Sequence, residues 1–254
     1  METKKIAQMK KLHILTLLII IIFSCSKDND TSTSSQSTDG QGGSLATFTL
    51  KGNYLYVVDE YDLNVFSVSK MDEPVLANKV SVGFDIETLF GYKEYLYIGS
   101  RNGMFIYSLA NPEFPEKLAR VEHFTACDPV VANDTHAYVT LHSNTVCGNN
   151  INILEIYDLS KITEPVLISS RNLISPKGLG LYGNYLIVCD DEIKIFDISN
   201  PKESKLINAI DKQAFDVIIR ENTLIAIGEN GLYQYSLQTT NEGVDFSELS
   251  TIEI

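Results

Sequence analysis

The chain has 254 residues, 44% of them hydrophobic, with no Trp, and its 20 basic and 33 acidic side chains give a formal net charge of −13. That charge repels nucleic acid and anionic lipid headgroups, so binding to either through a basic patch is excluded. The length fits one large all-β domain or two ordinary domains and does not choose between them.

The N-terminus opens with Lys4, Lys5, Lys10 and Lys11, followed by an almost unbroken apolar run of ten residues, Ile14 to Phe23. A membrane-spanning helix needs about 20 apolar residues, so this run is too short to cross. It has the length and flanks of a signal-peptide core, and residues 1–24 are expected to be one. The run ends at Ile22-Phe23-Ser24-Cys25, which resembles a relaxed bacterial lipobox. That resemblance implies cleavage before Cys25 and acylation of its thiol, with a lipid anchor as the link to the membrane. Several acyl chains on one residue make such an anchor stable. A plain secretory signal with an incidental Cys is the alternative.

Residues 26–45, SKDNDTSTSSQSTDGQGGSL, are polar and rich in Ser, Thr and Gly. They cannot bury enough apolar surface to offset ordering entropy, so residues 25–45 are expected to be a lipidated tether. Its 20 flexible residues have a root-mean-square reach of roughly 25 Å. Lys27, Asp28 and Asp30 resemble the charged tag with which some Gram-negative bacteria send lipoproteins to the outer face of the outer membrane. The expected location is therefore the outer membrane, extending to the cell surface. Removing 1–24 takes away four Lys and one Glu, leaving 16 basic against 32 acidic residues, a net −16.

From residue 46 onward the chain is strand-like: short runs of Tyr, Val, Ile and Phe alternate with Gly, Asn, Asp and Pro. It is also self-similar. GNYLYVVD (52–59) recurs as KEYLYIGS (93–100), THAYVTLH (135–142), GNYLIVCD (183–190) and ENTLIAIG (221–228). A second segment follows each, anchored by Phe66, Tyr107, Tyr157, Phe196 and Tyr235, at spacings of 41, 50, 39 and 39 residues. The long spacing reflects an insertion at about 143–151. Pro74, Pro115 and Pro165 repeat in the turns, and Asn111-Pro112 and Asn200-Pro201 stop the second segment in two units. With a strand before and a strand after this pair, each unit is four short strands in about 40 residues, the period of a β-propeller blade. The predicted fold is all-β, a propeller of five four-stranded blades over 46–254, with units at about 46–84, 85–127, 128–176, 177–214 and 215–254. Middle strands such as YLYVV are apolar on both faces, as a sheet packed between two neighbours requires. No strand is borrowed between the two ends of the array, which leaves a closed ring, a half-open ring and a dimer as alternatives.

GMFIYSLANPEFP (103–115) and IKIFDISNPKES (193–204), each after a YLYIG-like strand, resemble the LVIVD repeat of bacterial β-propeller lipoproteins and surface proteins. The resemblance covers about 46–254. It implies the fold and an envelope location and names no reaction.

With strands running from the centre outward, the inter-blade connections and the turns between second and third strands open on one face. That face collects Asp59, Asp62, Asp85, Asp128, His142, Asp190, Asp191 and Asp216. These residues are the candidate binding face, for a cation or a basic partner; Asp in such loops also simply makes turns. Cys127 and Cys147 fall on the same face, and an oxidising envelope predicts a disulfide between them. Closing about 20 residues, it contributes roughly 3 kcal/mol in the chain-entropy model. The two Cys with His123 and His142 form an alternative Cys₂His₂ zinc set. No cofactor is implied beyond a divalent cation that these loops could bind, and no residue is assigned a catalytic role. Phosphate-loop, G-x-S-x-G, H-E-x-x-H and dinucleotide motifs are absent from the chain. The favoured reading is a non-catalytic module for a protein or glycan partner. The alternative is a lactonase-like hydrolase with a cation on Asp85, Asp128 and Asp216.

Overall fold

The computed structural model describes residues 42–122, 129–142 and 151–254. They form five four-stranded antiparallel sheets, each with its strands in sequence order. Blade 1 is β1 (Phe48–Lys51), β2 (Tyr54–Val58), β3 (Asp62–Ser67) and β4 (Val75–Ser81). Blade 2 is β5 (Ile86–Tyr92), β6 (Tyr95–Ser100), β7 (Gly103–Ser108) and β8 (Glu116–Glu122). Blade 3 is β9 (Val130–Ala132), β10 (His136–Leu141), β11 (Ile153–Asp158) and β12 (Val166–Asn172). Blade 4 is β13 (Leu179–Tyr182), β14 (Tyr185–Cys189), β15 (Ile193–Asp197) and β16 (Lys205–Ile210). Blade 5 is β17 (Asp216–Arg220), β18 (Thr223–Gly228), β19 (Gly231–Thr240) and β20 (Gly243–Glu253). The first strands of successive blades lie side by side, which makes them the innermost strands of a β-propeller.

The sequence pattern explains the packing. Strands β6, β10 and β14 are buried along nearly their whole length, on both faces. Odd and even positions serve different neighbours. Tyr56 and Val58 of blade 1 pack with Leu96, Ile98, Phe105 and Tyr107 of blade 2. Tyr97 and Ile106 of blade 2 pack with Ala137, Val139 and Tyr157 of blade 3. Tyr138 and Ile156 meet Leu186, Val188 and Phe196 of blade 4. Ile187 and Ile195 meet Leu224, Ala226 and Tyr235 of blade 5. Each fully buried aliphatic side chain stabilises by about 1.5–3 kcal/mol, so a seam of a dozen residues outweighs the hydrogen bonds that cross it. Those bonds set register: Tyr56 Oη donates to Pro112 O at 2.8 Å, Asn78 Nδ2 to Glu113 O at 3.0 Å and Asn208 Nδ2 to Val244 O at 3.0 Å.

Every blade carries a register shift between its third and fourth strands, immediately before the aromatic anchor: at Val65/Phe66, Ile106/Tyr107, Ile156/Tyr157, Ile195/Phe196 and Gln234/Tyr235. Such a bulge adds local twist. The repeated aromatic thus marks a bend as well as a packing position. Blade 5 departs from the pattern. Its turn between third and fourth strands lacks the proline of the other blades, so the ladder runs on to Thr240 and Gly243.

In four of the five blades the turn between first and second strands takes a left-handed residue. Gly52 (φ 56°) and Gly183 (φ 56°) supply it in blades 1 and 4, whereas Lys93 (φ 48°) and Glu221 (φ 54°) occupy the same place in blades 2 and 5. A residue with a Cβ is strained there by about 1–2 kcal/mol. Glu221→Gly is therefore expected to stabilise the protein by about 0.5–1 kcal/mol net of the extra chain entropy, raising Tm by a few degrees in calorimetry. Ile195→Ala, inside the seam between blades 4 and 5, should instead cost about 2–5 kcal/mol in denaturant unfolding.

Candidate binding face

The candidate carboxylates prove to be engaged one by one with their surroundings. Asp59 Oδ1 accepts from the N–H of Tyr61 (2.9 Å) and of Asp62 (2.8 Å), and Oδ2 accepts from Asn64 Nδ2 (2.9 Å). These bonds, the Tyr61 N–H first, hold its pKa below the ordinary carboxylate range. Asp59 builds the turn between β2 and β3. Asp62 pairs with Lys79 Nζ at 2.7 Å, and Asp85 sits 3.7 Å from Arg101 Nη1. Asp85 also takes a left-handed conformation, φ 55°, at the entry to blade 2.

Asp190 and Asp191 form the densest cluster. The Asp190 side chain is fully buried and accepts from the N–H of Ile174 (3.0 Å) and of Ser175, so it ties blade 4 to the connection from blade 3. Lys194 Nζ bridges Asp190 Oδ2 at 2.7 Å and Asp191 Oδ1 at 2.5 Å. Burial pulls the Lys194 pKa down, but its bonds to Asp190 and Asp191 outweigh that and leave it raised. The same contact with Lys194 lowers the pKa of Asp191. Reading the sequence alone missed Lys194. The signal was a Lys between two Ile residues in the strand IKIFD.

Asp216 lies at the centre, where the stretch before β1 crosses the inner strands. Ser44 Oγ donates to Asp216 Oδ1 (3.1 Å) and accepts from the N–H of Leu179 (2.8 Å); the N–H of Leu45 reaches Asp216 Oδ2 (3.3 Å). Ala46 O accepts from the N–H of Leu89 at 2.7 Å. One short segment thereby joins blades 2, 4 and 5. Gly43 and Gly178 flank the carboxylate so closely that a Cβ on either would lie 2.1 Å and 2.3 Å from its oxygens. Burial raises the pKa of Asp216 despite these donated bonds.

His142 directly follows β10. Its Nδ1 is buried and has no hydrogen-bond partner among the described residues. Burial first, then the charge of Lys177, lowers its pKa. Cys25, Cys127, Cys147, Asp128, His123 and the insertion itself, 143–150, lie outside the described residues. Among the described residues no group of three His, Cys, Asp or Glu could hold a metal ion. Cys189 is a buried thiol in the core between blades 4 and 5, and burial pushes its pKa up.

Between blades 4 and 5 this face opens into a cleft of about 210 Å³, walled by Lys177, Asp190, Asp191, Gln213, Phe215 and Glu229. Sequence reading had placed the acidic residues here, but not Gln213 or Phe215. A second cleft of about 220 Å³ lies between blades 2 and 3, walled by Tyr92, Tyr95, Tyr97, Asn133, Asp134 and Leu159.

The LVIVD repeat family matches residues 42–82 and 177–211, which hold the strands of blade 1 and of blade 4. No curated protein matches it. Among solved structures, the chain is similar to the periplasmic gluconolactonase of Pseudomonas aeruginosa, at 13% identity and TM-score 0.61, over 80% of this chain and 68% of that one. A protein from Lactobacillus plantarum matches at 13% identity and TM-score 0.57, over 79% and 68%. A chain of the mitotic checkpoint complex matches at 12% identity and TM-score 0.59, over 79% and 64%, so this chain spans less than two thirds of its length. At these identities the likeness is one of fold.

Two outcomes follow for this face. Lys194→Met leaves the buried Asp190 carboxylate without its cation and should destabilise by about 3–5 kcal/mol in urea unfolding. His142 has a folded pKa below its unfolded value, so the unfolded chain takes up the proton first as pH falls. Stability should therefore drop as pH is lowered through about 6.5, and His142→Gln should remove part of that slope.

Proposed function

We propose that the protein is an envelope lipoprotein, anchored at Cys25, whose β-propeller is a non-catalytic binding module for a protein or glycan partner. The observation that carries this reading is the use made of the face carboxylates. Asp59, Asp62, Asp85, Asp190, Asp191 and Asp216 are each spent on turns, ion pairs or the central crossing. What the face offers a ligand is the cleft between blades 4 and 5, with Lys177, Gln213, Glu229 and the Phe215 ring on its walls. Hydrogen-bonding groups around an aromatic surface suit a hydroxyl-rich glycan or a peptide segment. We propose that the insertion 143–150, which follows His142 in the chain, contributes to the same face.

A second reading is lactonase-like hydrolysis with a divalent cation on Asp85, Asp128 and Asp216. The fold likeness to a gluconolactonase supports it. Against it, Asp216 already accepts bonds from Ser44 and Leu45, and Asp85 faces Arg101.

Three measurements test these readings. Cys25→Ala should abolish acylation, seen as loss of the lipid mass in mass spectrometry, and release the protein from the membrane fraction. Deleting 143–150 should abolish capture of the envelope partner at unchanged Tm; unchanged capture would refute this placement. Melting the protein against glycans, divalent cations and lactones separates the two readings. A ligand at 100 times its Kd adds about 2.7 kcal/mol, and a rise with a cation alone, accompanied by lactone turnover, favours the hydrolase.

A further inference from the structure

The blades repeat the same positions, so each seam can be compared with the others residue by residue. Consider the face that each blade turns toward its predecessor. On the first strand it carries Leu89, Val130, Leu179 and Val217 in blades 2 to 5, exposed by 1, 0, 0 and 2%. The matching residue of blade 1 is Phe48, paired with Val57, and it is 59% exposed. On the second strand, Leu96 and Ile98 of blade 2 and their counterparts in blades 3 to 5 are fully buried, whereas Leu55 and Val57 of blade 1 are half-buried. The aromatic anchors Tyr107, Tyr157, Phe196 and Tyr235 are buried; Phe66 is not.

The opposite end tells the same story. The face that each blade turns toward its successor buries Tyr56, Tyr97, Tyr138 and Ile187 on the second strand, but leaves Ile225 half-buried in blade 5. On the third strand Leu63, Met104, Leu154 and Ile193 are buried, and Leu232 is not. Among the described residues, hydrophobic clusters fill four seams and none joins blade 5 to blade 1.

Among the described residues, no blade packs on the apolar face at either end of the array. These two faces are not arbitrary surfaces. Blade 5 presents the kind of face that fits the predecessor-facing side of a blade of this chain, and blade 1 presents that side. Blade 5 replaces the aliphatic row Val65, Ile106, Ile156 and Ile195 with Gln234, bonded to Ser250 Oγ at 3.0 Å. On its predecessor-facing third strand blade 1 has Asn64, at the place where blades 2 to 5 carry Phe105, Glu155, Lys194 and Tyr233.

We propose that a second copy of the chain covers these faces, blade 5 of one copy packing on blade 1 of the next, head to tail. The contact reuses the packing of the four internal seams. It is heterologous, so both faces of every copy are used when the assembly closes.

The test uses the full chain purified in a mild detergent, with mass read by sedimentation or light scattering corrected for bound detergent. The parent should have at least twice the single-chain mass. Val57→Asp and Ile225→Lys, one on each face, should each weaken association by at least ~30-fold. Mixing the two variants should restore assembly, because one junction then joins two unaltered faces and the other sets Asp against Lys. Circular dichroism and melting of each variant establish that it is folded. A parent that stays monomeric at all accessible concentrations would overturn the proposal. So would variants that assemble as well as the parent, or folded variants whose mixture stays monomeric.

Discussion

The structure depends on one constraint: each blade is a sheet with two apolar faces and can bury neither by itself. A lone four-stranded sheet of this composition would leave rows such as Leu96, Ile98, Tyr97 and Ile106 in water. Stacking blade on blade removes both rows at once, which is why the unit repeats. The seams also explain where polar residues are allowed. They gather at strand ends and turns, and the exceptions inside a seam are provided with partners. Lys194 is bridged by two carboxylates, and Glu155 accepts from the hydroxyl of Tyr157.

Because the seams supply most of the burial, the loops carry little of the stability burden and can diverge. The turns between second and third strands range from two residues at 101–102 to the long connection between β10 and β11. The same freedom lets the segment 43–46 cross the inner strands. Ser44 stands there as a two-way link, donating to Asp216 and accepting from Leu179. That crossing turns a face carboxylate into a structural one. It also explains why Gly occupies positions 43 and 178, where any side chain would displace Asp216.

The candidate face shows how chemistry and architecture compete for the same residues. Asp in a turn is useful because its carboxylate can take backbone N–H groups, as Asp59 does. Once those bonds form, little of the carboxylate remains for a ligand. The cleft between blades 4 and 5 draws its character from residues with no turn to make: Gln213, Phe215 and Lys177. Binding there would rest on shape and hydrogen bonding more than on charge.

Much of this was legible in the sequence. Five recurrences of a strand pair, with aromatic anchors at near-constant spacing, determined the all-β class, the four-stranded unit and the blade number. Apolar residues on both faces of YLYVV and YLIVC determined that those strands sit between neighbours. The sequence also placed Asp190 and Asp191 in the turn between the second and third strands of blade 4. It could not show that Lys194 neutralises them, because that contact depends on which way a strand residue points within a particular seam. It placed Asp216 at the centre but not its bonds to Ser44, since the two are 172 positions apart and only the crossing of 43–46 brings them together. Nor could it decide between closed ring, half-open ring and dimer. Phe48, Leu55 and Ile225 read like their buried counterparts in the other blades, and only the tertiary structure leaves Phe48 exposed and Leu55 and Ile225 half-buried. Burial is a property of what packs against a residue, and a sequence pattern records only the face on which that residue lies.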